Sequence, residues 1–391
     1  MRRNTAVLVA ALSLGCASGG YVDGSPAAPA VGSRAGPDAG GEIDITLLMV
    51  GDAGWAKADD PVLDRVAAHA SERPGRTVVL FLGDNVYPDG LAVVGLPDRE
   101  RGERILRAQL RVGRKSGALT GRGARLIFVP GNHDWDRSRP NGWEEVLGQG
   151  RFLVSNGAEL LPAGGCPGPS VVDVGSQVRI VALDTQWWLH GEAKPQDPTS
   201  ECGVDSEIEI LDALGVALEA AEPRQVVVVA HHPLASAGRH AGYFEWKDHI
   251  FPLRNVAKWM WLPLPIIGSA YPLVRRLGAT AQDMSGSANR HMRQALDSVF
   301  AIYRPLVYAS GHDHSLQVLE GETARYFLVS GASTIGHFSA VGREDRTRYS
   351  RAATGFMRLD FTTDRRVRLG VFTVDKRGTE TEEYSVWLDT R

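Results

Sequence analysis

Cysteine is scarce: Cys16, Cys166 and Cys202 are the only three in 391 residues. They do not form a CxxC pair, and the chain has no HExxH, so zinc-finger and zincin chemistry are excluded. Positive charge is not in excess, with 43 Lys and Arg against 46 Asp and Glu and a net charge of -3. That balance lacks the basic stripe a nucleic-acid-binding surface needs. Long apolar runs are missing too. Thr5 to Leu14 is too short to cross a bilayer, and the apolar stretch that begins at Trp259 is cut by Pro263, Pro265 and Pro272. No internal repeat is present.

What remains is ordinary for a folded protein: 43% of residues are hydrophobic, enough for a sizeable core. The N-terminus reads separately. Met1-Arg2-Arg3-Asn4 is positive, Thr5 to Leu14 is apolar, and Ser13-Leu14-Gly15-Cys16 resembles the lipobox of bacterial lipoproteins, with Ser13 where Leu is more usual. The expectation is a signal peptide at 1–15, a flexible Gly/Ala/Pro/Ser tether at 16–41 and one domain from 42 to 391. The protein would be exported, as a lipoprotein anchored through lipidated Cys16 and facing the periplasm or cell surface, or as a secreted protein cleaved slightly later. In an exported protein Cys166 and Cys202, both in Gly/Pro-rich sequence, are a plausible disulfide; two unrelated thiols are the alternative.

Periodicity gives the body of the chain. Apolar, β-branched runs at Ile43–Val50, Thr77–Leu82, Arg125–Val129, Val226–Val229 and Leu306–Ala309 read as buried strands. Pro61 to Glu72, Asp98 to Lys115, Ser206 to Glu222 and Ser287 to Phe300 read as helices. A hairpin is expected over Val171–Val174 and Val178–Leu183. The C-terminal part is strand-rich, with Tyr326–Val329, Phe356–Phe361, Val367–Phe372 and Glu382–Leu388. Alternation followed by strand dominance predicts α/β architecture with two sheets in layers.

Five strands end in a tight turn carrying Asp, Asn or His. The turns are Gly51-Asp52-Ala53-Gly54, Gly83-Asp84-Asn85-Val86-Tyr87, Gly131-Asn132-His133-Asp134, Ala230-His231-His232-Pro233 and Gly311-His312-Asp313-His314. One such turn is unremarkable, because Asp often caps a helix and a lone His is often packed. Five in one chain point to a shared site, outside the carboxyl ends of the strands. In an extended His312-x-His314 segment both imidazoles would face one side. Carboxylate and phenolate oxygens suit a hard trivalent ion, and imidazoles with an amide oxygen suit a divalent first-row metal.

These five motifs resemble the calcineurin-like metallophosphoesterases, and within them the small single-domain purple acid phosphatases. Most members of the larger family carry His two residues after the first Asp and lack the Tyr; this chain has Gly54 and Tyr87. The resemblance spans roughly residues 42 to 375 and implies a four-layer α/β/β/α sandwich of two mixed sheets. It also implies two metal ions, Fe(III) plus a divalent Fe, Zn or Mn. Asp52, Tyr87 and His314 would hold the ferric ion, Asn132, His231 and His312 the divalent ion, and Asp84 would bridge them. His133 would touch the phosphate or protonate the leaving group. His232, at a position that varies in the family, is the second catalytic candidate. The implied reaction is hydrolysis of a phosphomonoester by attack of a metal-bound hydroxide. A phosphodiesterase or nucleotide hydrolase on the same site, or a surface protein that binds without hydrolysing, are the alternatives.

Residues from about 236 to 285 depart from that pattern. They contain Gly238-Arg239-His240 and Trp259-Met260-Trp261-Leu262-Pro263-Leu264-Pro265-Ile266-Ile267. Three readings stand together: a lid or substrate wall beside the His231 turn, a Trp259–Ile267 patch that attaches the protein to a bilayer surface, and a locally packed excursion.

Overall fold

A computed structural model describes residues 41–119, 121–196, 198, 200–255, 260–264 and 268–390. The signal-peptide span, Cys16, nearly all of the tether, Trp259 and residues 265–267 lie outside the described residues.

Two seven-stranded mixed sheets form the centre. The first is built on β1 (Ile43–Val50), β2 (Thr77–Leu82), β3 (Arg125–Val129) and β4 (Glu159–Leu160), with β12 (Gly355–Thr362), β13 (Val367–Val374) and β14 (Glu380–Leu388) added antiparallel beyond β1. The second contains β5 (Ser170–Val174), β6 (Val178–Ala182), β7 (Gln225–Val229), β8 (Val307–Ser310), β9 (Leu316–Glu320), β10 (Tyr326–Ser330) and β11 (Thr347–Arg351). β1, β2 and β3 run parallel, and so do β6, β7 and β8. Every residue of β2 is buried, which explains its unbroken Thr-Val-Val-Leu-Phe-Leu: a strand covered on both faces has no polar side to alternate with.

Three separate cores make this a four-layer α/β/β/α sandwich, as the motifs implied. Leu47, Leu80, Val227 and Leu359 fill the space between the sheets. Leu48, Phe81 and Phe128 face α1 (Pro61–Glu72), α2 (Arg99–Ser116) and α3 (Gly142–Ser155) on one outside. Val181, Val228 and Tyr308 pack on the other outside, under α5 (Glu207–Glu219) and α8 (Ser287–Tyr303), with α4 (Gln186–Leu189) nearby. Cutting one fully buried Leu of these cores to Ala costs about 2–5 kcal/mol. Local signals fix the helix starts. Asp60 accepts from the backbone of Val62 and Leu63 before Pro61 opens α1, and Ser206 and Glu209 form a capping box on α5.

Several elements were not legible in the sequence. α3 carries Gly142, Gly148 and Gly150, which lower helix propensity, and it forms because Val146, Phe152 and Leu153 are buried. β9 and β11 pair with each other at the edge of the second sheet, an association between distant segments. β8 lies one residue later than Leu306–Ala309. Within residues 236–285 the chain forms α6 (Trp246–Ile250) and α7 (Ala270–Arg276) before it returns through Thr280 to Asp283.

Candidate metal centre

The carboxyl ends of five parallel strands supply the site. Asp52 follows β1, Asp84 follows β2, Asn132 and His133 follow β3, His231 follows β7, and His312 follows β8. The turns are tight enough to force unusual backbone. Asp52, Asp84 and His312 have φ of 58°, 53° and 68°, in the left-handed region that non-glycine residues rarely occupy and that clusters at functional sites. Each follows a glycine. A Cβ on Gly83 would fall 2.5 Å from Nδ1 of His231, so the backbone must be bare for the two loops to meet. His312 at positive φ also corrects the expectation of an extended His312-x-His314 segment. The chain turns there, and the two imidazoles reach different partners.

Asp134, the last residue of the third motif, ties the loops together. Its carboxylate accepts from the backbone N–H of Gly131 at 2.8 Å and of Asn85 at 3.1 Å, and from Nδ2 of Asn85 at 2.9 Å. Asp84 in turn accepts from the backbone N–H of His133 at 2.9 Å.

The seven residues expected as ligands come together in two groups. Tyr87 Oη lies 2.8 Å from Oδ1 of Asp52 and 3.2 Å from Nε2 of His314, and His314 Nε2 lies 3.3 Å from Asp52 Oδ1. Asn132 Oδ1 lies 3.1 Å from Nε2 of His231 and 3.1 Å from Nδ1 of His312, which are themselves 3.2 Å apart. Asp84 joins the groups: Oδ1 is 3.4 Å from His231 Nε2, and carboxylate oxygens of Asp52 and Asp84 and a nitrogen of His231 lie within 4.8 Å of one another.

The second group fits a cation. His231 Nδ1 lies 2.9 Å from the carbonyl of Leu82, and His312 Nε2 lies 3.1 Å from the carbonyl of Gln282. A carbonyl only accepts, so these two nitrogens carry the ring protons. In the neutral tautomers His231 Nε2 and His312 Nδ1 are then bare lone pairs, and both face the amide oxygen of Asn132. Three acceptors about 3 Å apart repel unless a cation sits among them. The backbone carbonyls fix the tautomers as outer partners of a metal-bound histidine do.

Charge in the first group leads to the same fit. Asp52 and Asp84 are buried side by side, and among the described residues neither has a Lys or Arg ion pair. Burial pushes the Asp52 carboxyl up to about 7. Burial also raises Asp84, and it is positive charge at the neighbouring His231 and His133 positions that outweighs burial and brings it down to about 2. Burial, then the charges of Asp52 and Asp84, push the Tyr87 phenol well above its ordinary value of 10. Two carboxylates buried side by side without a Lys or Arg partner are expensive to keep ionised together, and metal ions at this position would remove that cost.

A cavity of about 500 Å³ opens over the site, lined by Asp84, Asn132, His133, His312 and His314 on one side and by His240, Arg275 and Gln282 on the other. His133 Nδ1 bonds to the carbonyl of Pro88, which leaves Nε2 facing the cavity, 3.7 Å from Asp84 Oδ2. His232 does not line the cavity. It is fully buried behind His231 and His312, with Nδ1 2.9 Å from Thr185 Oγ1 and Nε2 2.7 Å from Gln282 Oε1. A larger cavity of about 790 Å³ lies beyond Tyr87, between Trp55, His337 and Arg377, and holds none of the seven expected ligands.

The segment 236–285 therefore builds a wall of the site, and with it residues given no role from sequence. The His240 ring lies 3.9 Å from that of His312, and its Nδ1 lies 3.1 Å from Arg275 Nη2 and 3.5 Å from Asp283 Oδ1. Arg275 is forked onto Asp283, with Nε 2.7 Å and 2.8 Å from the two oxygens. Opposite, His337 packs 4.0 Å from the His314 ring. A histidine nine residues after a ligand histidine was the only signal for His240, and no spacing rule singles it out.

The sequence pattern of the calcineurin-like phosphoesterases matches residues 45–316. No curated protein matches the chain in sequence. Among solved structures it is similar to GAP50, the anchor in the inner membrane complex of Plasmodium, at 15% identity over 90% of each chain and a TM-score of 0.52. It is also similar to the purple acid phosphatase PPD1 from yellow lupin (Lupinus luteus) seeds, at 11% identity over 89% of this chain and 54% of that one, TM-score 0.51. PhoD is similar at 11% identity over 89% and 70%, TM-score 0.51. At such identities the likeness is one of fold.

Proposed function

The chain belongs to the calcineurin-like phosphoesterase family, and from that premise we propose that it is an exported, two-metal phosphatase acting on phosphomonoesters, with an iron-containing site of the purple acid phosphatase kind. The observation that carries the hydrolytic reading is the convergence of Asn132 Oδ1, His231 Nε2 and His312 Nδ1 as bare acceptors beside a carboxylate, Asp84, that also adjoins the Asp52–Tyr87–His314 group.

Asp52, Tyr87 and His314 would hold one ion, Asn132, His231 and His312 the other, and Asp84 both. When bound, such ions supply Lewis-acid charge to a phosphate ester and acidify water for its hydrolysis. The chain's own residues do the rest. His133 Nε2, at the cavity edge and 3.7 Å from Asp84 Oδ2, can hand a proton to the leaving oxygen when the ring is doubly protonated, while the Pro88 carbonyl holds Nδ1–H and so fixes the ring's orientation. His240 faces the same space with its Nδ1 engaged by the Arg275–Asp283 pair. Arg275 adds fixed positive charge to the wall and favours an anionic substrate. Buried His232 holds Gln282 in place, and through it the carbonyl that orients His312.

Export is supported by the bond between Cys166 and Cys202, since disulfides persist in oxidising compartments. Lipidation at Cys16, facing the periplasm or cell surface, is part of the same proposal. Metal analysis of the purified protein, with turnover measured on p-nitrophenyl phosphate, bis-p-nitrophenyl phosphate and nucleotides, tests it. Two ions per chain and preference for the monoester are expected. Preference for the diester or a nucleotide would reassign the substrate class, and metal-free, inactive protein would leave a binding protein on the same fold.

A further inference from the structure

Exposed large hydrophobic side chains are unevenly spread. Of the eighteen among the described residues, seven fall within residues 246–277, whereas the others are scattered along the chain. Trp246, Trp261, Leu262, Leu273, Val274 and Leu277 each expose between 46% and 74% of their surface. The elements that carry them pack against one another. Phe244 meets Tyr271, Phe251 meets Trp261, and the Leu264 N–H bonds to the Ile250 carbonyl at 2.7 Å. Scattered apolar residues are normal on a surface, but a concentration on one packed segment marks a place of contact.

Charge says what the contact is. The chain as a whole is at -3, yet residues 246–278 contain Lys247, Arg254, Lys258, Arg275 and Arg276 against the single acid Asp248. That acid is already held, since Arg239 lies 3.1 Å from it. Arg275 is turned inward onto Asp283, while Arg276 is exposed and Lys247 sits 5.9 Å above the Trp246 ring. Indole rings and leucines beside cations match the boundary between acyl chains and anionic headgroups. Among the described residues no helix is long and apolar enough to cross a membrane, so such a surface lies on a bilayer and does not span it.

We infer that the exposed face formed by α6, the 260–264 segment and α7 is a docking surface for an anionic phospholipid bilayer, acting independently of any lipid on Cys16. Its place in the fold gives the contact a consequence. α7 presents Arg275 to the metal cavity, while its Leu273 and Val274, and Leu277 just after it, are exposed, so docking through these side chains places α7 between the headgroups and the cavity. The inference does not depend on the phosphatase reading, because binding is measured without turnover.

The full chain carrying Cys16→Ser, which has no thiol to lipidate, is sedimented with vesicles of phosphatidylglycerol and phosphatidylcholine in equal parts, and with phosphatidylcholine alone. Binding should be at least about tenfold stronger to the anionic vesicles and should weaken with salt. The triple variant Leu262→Ser, Leu273→Ser, Leu277→Ser should lose about tenfold in binding while its melting temperature stays that of the parent. Should that variant melt early, Lys247→Glu with Arg276→Glu replaces it, with the same loss expected. A Cys16→Ser chain that stays in the supernatant with both vesicles overturns the inference. So do variants that bind as well as their parent, and so does a parent that ignores vesicles but forms a dimer the triple variant dissolves.

Discussion

His312 Nε2 lies 3.1 Å from the backbone carbonyl of Gln282, thirty residues earlier in the chain. That contact assigns the His312 proton to Nε2 and the lone pair to Nδ1, on the side of Asn132 and His231. His314, two residues on, faces Asp52 and Tyr87 instead. Replacing His312 with Ala should therefore empty mainly the Asn132–His231 site, and replacing His314 with Ala the Asp52–Tyr87 site. Each loss of affinity should be about a hundredfold or more, read by metal analysis of each purified variant. Identical losses at both sites in both variants would contradict the division into two groups.

Asp84 adjoins both groups, so its loss should differ in kind. Asp84→Ala is expected to lower the content of both ions together and take turnover of p-nitrophenyl phosphate to background. An Asp84→Ala protein with full metal and normal turnover would rule out a shared carboxylate.

The five turns were legible because each couples an apolar strand to polar residues that a turn alone does not need, and strand ends in open sheets converge. The pairing of Cys166 with Cys202 was readable as one of two outcomes, and the structure joins them. What stayed hidden depends on contacts between distant segments. The Gln282 carbonyl carries no side-chain signature, so no pattern could place it on His312. His240 reads as one more loop histidine until Asp283 and Arg275 fold back onto it. The bend at His312 was missed for the opposite reason: the extended reading assumed ordinary φ where the site imposes 68°.

The Cys166–Cys202 bond closes a separation of 36 residues. In the chain-entropy picture a loop of that size contributes about 4 kcal/mol. Cys166→Ser with Cys202→Ser should lower the melting temperature by several degrees, and peptide mass spectrometry without reductant should recover the two cysteines linked. Free thiols at both positions in protein made in an oxidising compartment would refute the bond.

Asp184 gives a pH signature. It is fully buried and accepts from Nε1 of Trp135 at 2.8 Å and from the Gln186 N–H at 3.0 Å. Burial pushes its carboxyl from 3.8 up to about 8. The unfolded chain releases this proton near pH 4 and the folded chain only near pH 8, so between them the folded state holds the extra proton. The stability from Asp184 is thus complete below about pH 4 and is lost as pH rises to about 8. Asp184→Asn loses one of the two hydrogen bonds, about 1 kcal/mol at every pH, but does not titrate. Its melting temperature should fall less between pH 5 and 8 than that of the parent; equal slopes would mean Asp184 ionises normally.

Tyr87 tests the kind of site, beyond the fold. Its hydroxyl donates to Asp52 at 2.8 Å, and burial with two neighbouring carboxylates keeps the phenol protonated well past pH 10 when no cation is near. Only a strongly charged ion can reverse that preference and hold the oxygen as phenolate. A phenolate on Fe(III) donates electron density to the metal and absorbs in the visible. Two divalent zinc ions in the same place would give no colour. The oxidised, iron-replete protein is expected to be violet to pink, and Tyr87→Phe should lose the band while Asp52, Asp84 and His314 still retain iron. A colourless iron-replete protein would leave Tyr87 as a phenol bonded to Asp52 and would reduce the assignment to a metallophosphoesterase of unspecified metals. A coloured Tyr87→Phe variant would move the chromophore to another ligand. Because absorbance and iron content are read on the same sample, a variant that lost its colour merely by losing iron is distinguished from one that lost the phenolate.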